Sequence, residues 1–160
     1  MIQENGSKRF SIGMKVLSID FGIGIVTAIE KLQEDGIDFY VIEYGKNKSK
    51  NYFPVDGNNK VRSVSSKTEF EEALQTLSFS RCVMKFESKK ERQIYFNREI
   101  EQNELKLIIN RLAELISMSD LTPKEQKIVD LLIGTLELEA SIILKISKEK
   151  SNKFISKFVA

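Results

Sequence analysis

The chain has 160 residues, enough for one domain of ordinary size or two small ones. It has no His and no Trp, and its single Cys82 can form no intramolecular disulfide, which excludes His-based triads, His metal sites and CxxC zinc knuckles. Lys and Arg number 25 against 23 Asp and Glu, and a net charge of +2 gives no global signal for nucleic acid.

Residues 10–64 read as five short strands: Lys15–Ser18, Gly24–Lys31, Ile37–Tyr44, Asn51–Val55 and Val61–Val64. Asp20-Phe21-Gly22, Glu34-Asp35-Gly36, Gly45-Lys46-Asn47 and Asp56-Gly57-Asn58-Asn59 separate them as turns, and Asp35-Gly36 is a hairpin signal. Five strands in so few residues predict a small, strongly bent sheet of the Tudor or SH3 type. The period turns helical after Ser65. Thr68 and Glu71 have capping-box spacing ahead of Phe70, Ala73, Leu74 and Leu77. A weakly striped helix is expected from about Glu87 to Glu101, and a well-striped one over Glu104–Ser117. Thr122-Pro123-Lys124-Glu125 opens a helix running to about residue 147, and Ser151 is placed to cap a final short one. The expected architecture is α+β, with a five-stranded β domain over 1–65 and an all-α helical bundle over 66–160.

The N-terminal MIQENGSKRF lacks the apolar core of a signal peptide, and no stretch of about 18 apolar residues follows. With one Cys, these features predict a cytoplasmic protein without a membrane span.

The motifs argue against catalysis. Gly22-Ile-Gly24 begins like a dinucleotide fingerprint but leads into a strand, whereas a phosphate cradle needs the N–H groups of a helix start. It reads instead as a tight turn and bulge in a bent sheet. Nothing in the sequence makes the carboxylates of Glu69, Glu71 and Glu72, or of Glu137 and Glu139, converge as an acid–base pair. Cys82 lacks a His partner. No enzyme activity, cofactor or metal is expected.

The basic residues are informative in their arrangement. Lys85, Lys89, Lys90, Arg92 and Arg98 cluster around Phe86, Tyr95 and Phe96, a pattern that suits phosphate contact beside aromatic stacking. Its bland counterpart is a solvated basic helix face, diluted by Glu87 and Glu91. Lys145, Lys148, Lys150, Lys153 and Lys157, with Phe154, Ile155 and Phe158, read as packing plus solubility rather than membrane docking. Phe39, Tyr40, Tyr44, Tyr52 and Phe53 are shared between core and surface, and an edge strand among them can pair with another protein.

Phe10-Ser-Ile12-Gly13, Val16-Leu17, Gly22-Ile-Gly24-Ile25-Val26 and Ala28-Ile29-Glu30, followed by Phe39-Tyr40-Val41-Ile42, Phe53-Pro54-Val55-Asp56 and Val61-Arg62-Ser63-Val64, form an ordered set. It resembles the opening of the CarD/CdnL family of bacterial transcription regulators. Leu121-Thr122-Pro123-Lys124-Glu125 and Leu136-Glu137-Leu138-Glu139 are similar to that family's late helix. The resemblance implies a Tudor-like domain that binds the RNA polymerase β subunit, then a helical domain that contacts promoter DNA and stabilises the open complex. It implies polymerase contacts at Lys31 or Leu32 and at Tyr52 beside Phe53. With the basic-aromatic cluster, weak and largely non-specific DNA contacts are expected at Lys85, Lys89, Lys90, Arg92, Tyr95 and Arg98, and the chain is expected to be a monomer. The family's Trp position falls on Lys89 or Lys90 here, and Tyr95, Phe96 or Phe86 are the aromatics available in its place. The alternative is a polymerase-binding adaptor that makes no DNA contact, which the missing Trp and balanced charge favour.

Overall fold

Short β-branched and aromatic runs separated by Gly-containing turns build an antiparallel meander. The computed structural model describes residues 9–45, 47–58, 60–79, 83–98 and 103–160. Lys46 and Asn59 of two expected turns, Cys82, and Glu101 at the end of the expected second helix lie outside the described residues. The strands are β1 (Lys15–Ser18), β2 (Gly22–Lys31), β3 (Asp38–Tyr44), β4 (Ser49–Pro54) and β5 (Val61–Ser63), in the order β4-β3-β2-β1-β5. Every pairing is antiparallel, so the architecture is the expected α+β one, with a Tudor-like five-stranded sheet ahead of the helices. The chain divides into two compact units, Met1–Ser63 and Val64–Ala160.

The inner face of the sheet buries Val16, Val26, Tyr40, Ile42 and Tyr44, joined by Val55 and Val61, with Phe10 and Phe53 packed against them. Gly24 makes the packing possible: a Cβ there would collide with the Ile42 side chain and come within 2.8 Å of the Tyr44 ring. Gly22, at φ +79°, turns the chain from β1 into β2. The bulge lies further on, where the register shifts between Val26 and Ala28. Before it, Val26 faces inward. After it, Ala28 pairs with Val41 on the outer face and Ile29 with Tyr40 on the inner face. Strict alternation would have put Ala28 inside.

The second unit holds α1 (Lys67–Phe79), α2 (Lys89–Asn97), α3 (Leu105–Ile116), α4 (Pro123–Ile143) and α5 (Lys148–Val159). α1 packs on α3 and α5, and α4 packs on α3 and α5. Phe70, Leu74 and Leu77 of α1 meet a core that includes Ile108, Leu112 and Leu115 of α3, Leu132 and Leu136 of α4, and Ile155 of α5. On α4, Val129 is buried and Leu131 is exposed. The buried Glu139 accepts a hydrogen bond from Ser65 N–H at 2.9 Å.

Side-chain caps open every helix but α3, and two of them differ from expectation. Ser66, not Thr68, caps α1, its Oγ accepting from Glu69 N–H at 3.2 Å. Ser66 and Glu69 share the Ser-x-x-Glu spacing that Thr68 and Glu71 imitate two residues later. Ser147, not Ser151, caps α5, accepting from Lys150 N–H at 3.3 Å. Ser151 lies inside α5, where its buried hydroxyl donates to the Glu137 carbonyl. α4 therefore stops at Ile143, and Lys145 takes φ +52° to reverse the chain. Apolar periodicity continuing through Ile146 hides that break in the sequence. The Thr122–Glu125 capping box forms as expected, with both reciprocal bonds present.

Candidate functional site

The outer face of the sheet carries an apolar row in which Val41 is buried, and β4 and β5 are the sheet's two end strands among the described residues. Ala28, Val41 and Tyr52 form a cross-strand row on the outer face, and Phe39 and Pro54 form the next pair toward the end of the sheet. Ile25 lies on the same face, opposite Glu43, which is 3.8 Å from Lys50. Tyr52 is 44% exposed on β4, which pairs with β3 on one side and is the last strand of the sheet on the other. Phe53 has its ring on the inner face, half-buried against the core. Lys31 ends β2, two strands away, Leu32 follows it, and both are exposed, Leu32 by 56%. The exposed Ile29 and Ile37 lie on either side of them in the chain. The structure thus places Tyr52 on the outer face, level with Ala28, and puts Lys31 on the same face as Ile29 and Phe53, so it does not bring the four expected residues together. Ile25 and Phe39 are additions that sequence alternation alone could not assign across the bulge.

In the helical unit, the cluster around α2 splits into exposed cations and bound ones. Lys85, Lys89, Lys90 and Arg98 are exposed. Ile94, 58% exposed, lies one helical turn from both Lys90 and Arg98. Ser88 caps α2, its Oγ accepting from Glu91 N–H at 3.1 Å. Arg92 points the other way. It donates to Glu125 from Nε at 3.0 Å and Nη2 at 2.7 Å, and to Asp120 Oδ1 from Nη1 at 2.9 Å. Its side chain is only 15% exposed.

The aromatics are engaged with one another. Phe86, Tyr95 and Phe96 contact mutually, with centroids 5.1–5.5 Å apart. The Arg111 guanidinium lies 4.6 Å over the Tyr95 ring, and Tyr95 Oη donates to Glu114 at 2.8 Å. Phe96, one of the aromatics available in place of the Trp, is buried at 1% exposure, because its position on α2 turns it toward the bundle.

These contacts shift the ionisable groups. Burial pushes the Glu125 carboxyl up, but the hydrogen bonds from Arg92 and Thr122 outweigh it and hold the group below the usual carboxylate range. The Glu125 bond raises Arg92 further. Burial, then the Glu114 hydrogen bond, raises the Tyr95 phenol.

Among the described residues no group of three or more His, Cys, Asp or Glu could hold a metal ion, and no helix is long and apolar enough to cross a membrane. No curated protein matches the chain. Residues 10–65, which contain all five strands, match the CarD-like/TRCF RID domain family. Sequence motifs, antiparallel sheet and match agree over residues 10–65, and that segment is a domain of the CarD-like/TRCF RID type.

Proposed function

We propose that the chain is a non-catalytic transcription regulator that tethers to the RNA polymerase β subunit through residues 1–65. Residues 66–160 then make weak, largely non-sequence-specific contacts with promoter DNA that stabilise the open complex. The observation that carries this reading is the match of residues 10–65 to an RNA-polymerase-interacting domain family. The edge of β4, unpaired on one side among the described residues and with Tyr52 outward, supports strand-edge pairing with the polymerase, and the exposed Lys31 and Leu32 offer a separate contact point two strands away. Tethering also fits the charge. A chain of net charge +2 has few phosphate contacts to offer, and polymerase binding raises its local concentration at the promoter.

On the DNA side, Lys85, Lys89, Lys90 and Arg98 make the phosphate contacts in this reading. Arg92 and Tyr95 serve behind them as the groups that hold α2 in place. The protein acts as a monomer bound to polymerase in the cytoplasm.

The test is binding of the full chain to purified polymerase β lobe, with Leu32→Asp and Tyr52→Ala alongside. The chain should bind, and both variants should weaken binding by about tenfold or more, as loss of a central apolar anchor does. A full chain that fails to bind refutes the tether. Binding that persists with no effect of the full chain on promoter opening leaves the adaptor reading in its place.

A further inference from the structure

The charge balance of the whole chain conceals a strongly basic C-terminal helix. Residues 145–160 carry Lys145, Lys148, Lys150, Lys153 and Lys157 against Glu149 alone, a net +4 in a chain of +2. All five lysines are exposed. On α5, Lys150, Lys153 and Lys157 fall within about 60° of one another around the axis and span roughly 10 Å along it. They form one ridge. Glu149 reaches Lys153 at 3.4 Å, but both side chains are more than 70% exposed, and such a pair holds its partner weakly.

What this helix lacks narrows the partner. Ile155 and Ser151 are buried, and Phe154 and Phe158 are half-buried, packed against each other at 5.3 Å. Among the described residues, no large hydrophobic side chain is exposed from residue 144 to the end. An interfacial membrane helix needs an apolar face free to enter the lipid, and here that face is taken by the bundle. A protein partner of useful affinity needs a desolvated apolar or aromatic anchor, and the ridge offers none. A phosphate backbone needs neither. It is bound by cations alone, through release of condensed counterions.

We infer that the Lys150–Lys153–Lys157 ridge of α5 is a second contact surface for duplex DNA, additional to the cations around α2. The inference rests on the DNA-contact half of the function proposed above and is independent of the polymerase tether. It also accounts for why a chain with so little net charge concentrates its positive excess at one helix.

The test is fluorescence anisotropy of a labelled DNA duplex with the full chain across a salt series. The triple variant Lys150→Gln, Lys153→Gln, Lys157→Gln should lower the slope of log K against log salt by about 2.7, at ~0.9 for each phosphate no longer neutralised. A triple Arg replacement should retain the slope, and thermal melting of both should match the native chain. A Gln variant that melts normally and keeps the native slope overturns the inference, as does a native chain that binds no duplex at low salt. Loss of binding to phosphatidylserine vesicles with an unchanged DNA slope assigns the ridge to lipid and also overturns it. Lys89→Gln with Lys90→Gln, measured in parallel, separates the two surfaces. If only the α5 variant changes the slope, the ridge stands and the α2 assignment falls.

Discussion

Arg92 and Glu125 form a two-pronged ion pair that joins α2 to the first turn of α4. The guanidinium donates to both carboxylate oxygens, at 3.0 and 2.7 Å. The same carboxylate accepts from Thr122 N–H at 2.9 Å, closing the capping box of α4. One buried group therefore serves a helix start and a helix–helix attachment together. The planar fork of Arg fits this geometry, and a Lys ammonium cannot reproduce it.

Removing Arg92 leaves the Glu125 carboxylate buried without its counter-charge. Breaking such a pair costs about 3 kcal/mol, the low end of the range for buried pairs, because Arg92 keeps some contact with water. Arg92→Ala should lower the urea midpoint of unfolding accordingly, and Arg92→Lys should recover only part of the loss. A midpoint unchanged in Arg92→Ala would mean that the pair contributes nothing to holding α2.

The same pair predicts an acid sensitivity. In the folded chain the Glu125 carboxyl titrates below its ordinary value, despite the opposing effect of burial, because Arg92 and Thr122 favour the charged form. In the unfolded chain it titrates near ~4.3. The stability from this shift is therefore fully present above about pH 4.3 and is lost as pH falls through the lower folded value. Urea midpoints of the native chain and of Arg92→Ala should differ at pH 7 and converge as pH falls through the lowered folded value of Glu125. A difference that does not shrink as the carboxylates protonate in acid would refute the assignment to Glu125.

The strands, the capping box at Thr122 and the striped helices α1 and α3 were legible because each rests on local pattern. Three features were not. The bulge after Val26 reverses which residues face outward, and no composition signal marks it. Ser66 and Ser147 outcompete Thr68 and Ser151 as caps because the chain turns at residues whose own side chains carry no distinguishing signal. Arg92 reads like its neighbours Lys89 and Lys90 until Glu125, 33 residues away, is seen to face it. Long-range pairing, rather than propensity, sorted that basic cluster into exposed and bound members.

Two glycines should respond oppositely to the same substitution. At Gly24 a Cβ would enter the Ile42 side chain and the Tyr44 ring, so Gly24→Ala forces the inner face of the sheet apart. Overpacking of this kind costs about 1–3 kcal/mol. Gly134 lies in the middle of α4, with nothing within 4 Å of the place a methyl group would take. Gly134→Ala should stabilise by roughly 0.5–1 kcal/mol, through helix propensity and a less flexible unfolded chain. Chemical denaturation of the two variants checks both signs. A destabilised Gly134→Ala chain would refute the open space above Gly134.

Under the proposed function, a structural role and a DNA-contacting role around α2 should separate cleanly in two variants. Tyr95 is tied down by its hydrogen bond to Glu114 and by Arg111 over its ring. Tyr95→Phe keeps the ring and deletes the hydroxyl, so it should cost about 1 kcal/mol of stability and leave the salt dependence of DNA binding intact. Lys89 and Lys90 are exposed. Lys89→Gln with Lys90→Gln should leave the unfolding midpoint nearly unchanged and lower the salt slope by about 1.8. A Tyr95→Phe variant that loses DNA affinity without losing stability would put the phenol at the DNA. It would then be a contacting group, and the hydrogen bond to Glu114 would have to open on binding.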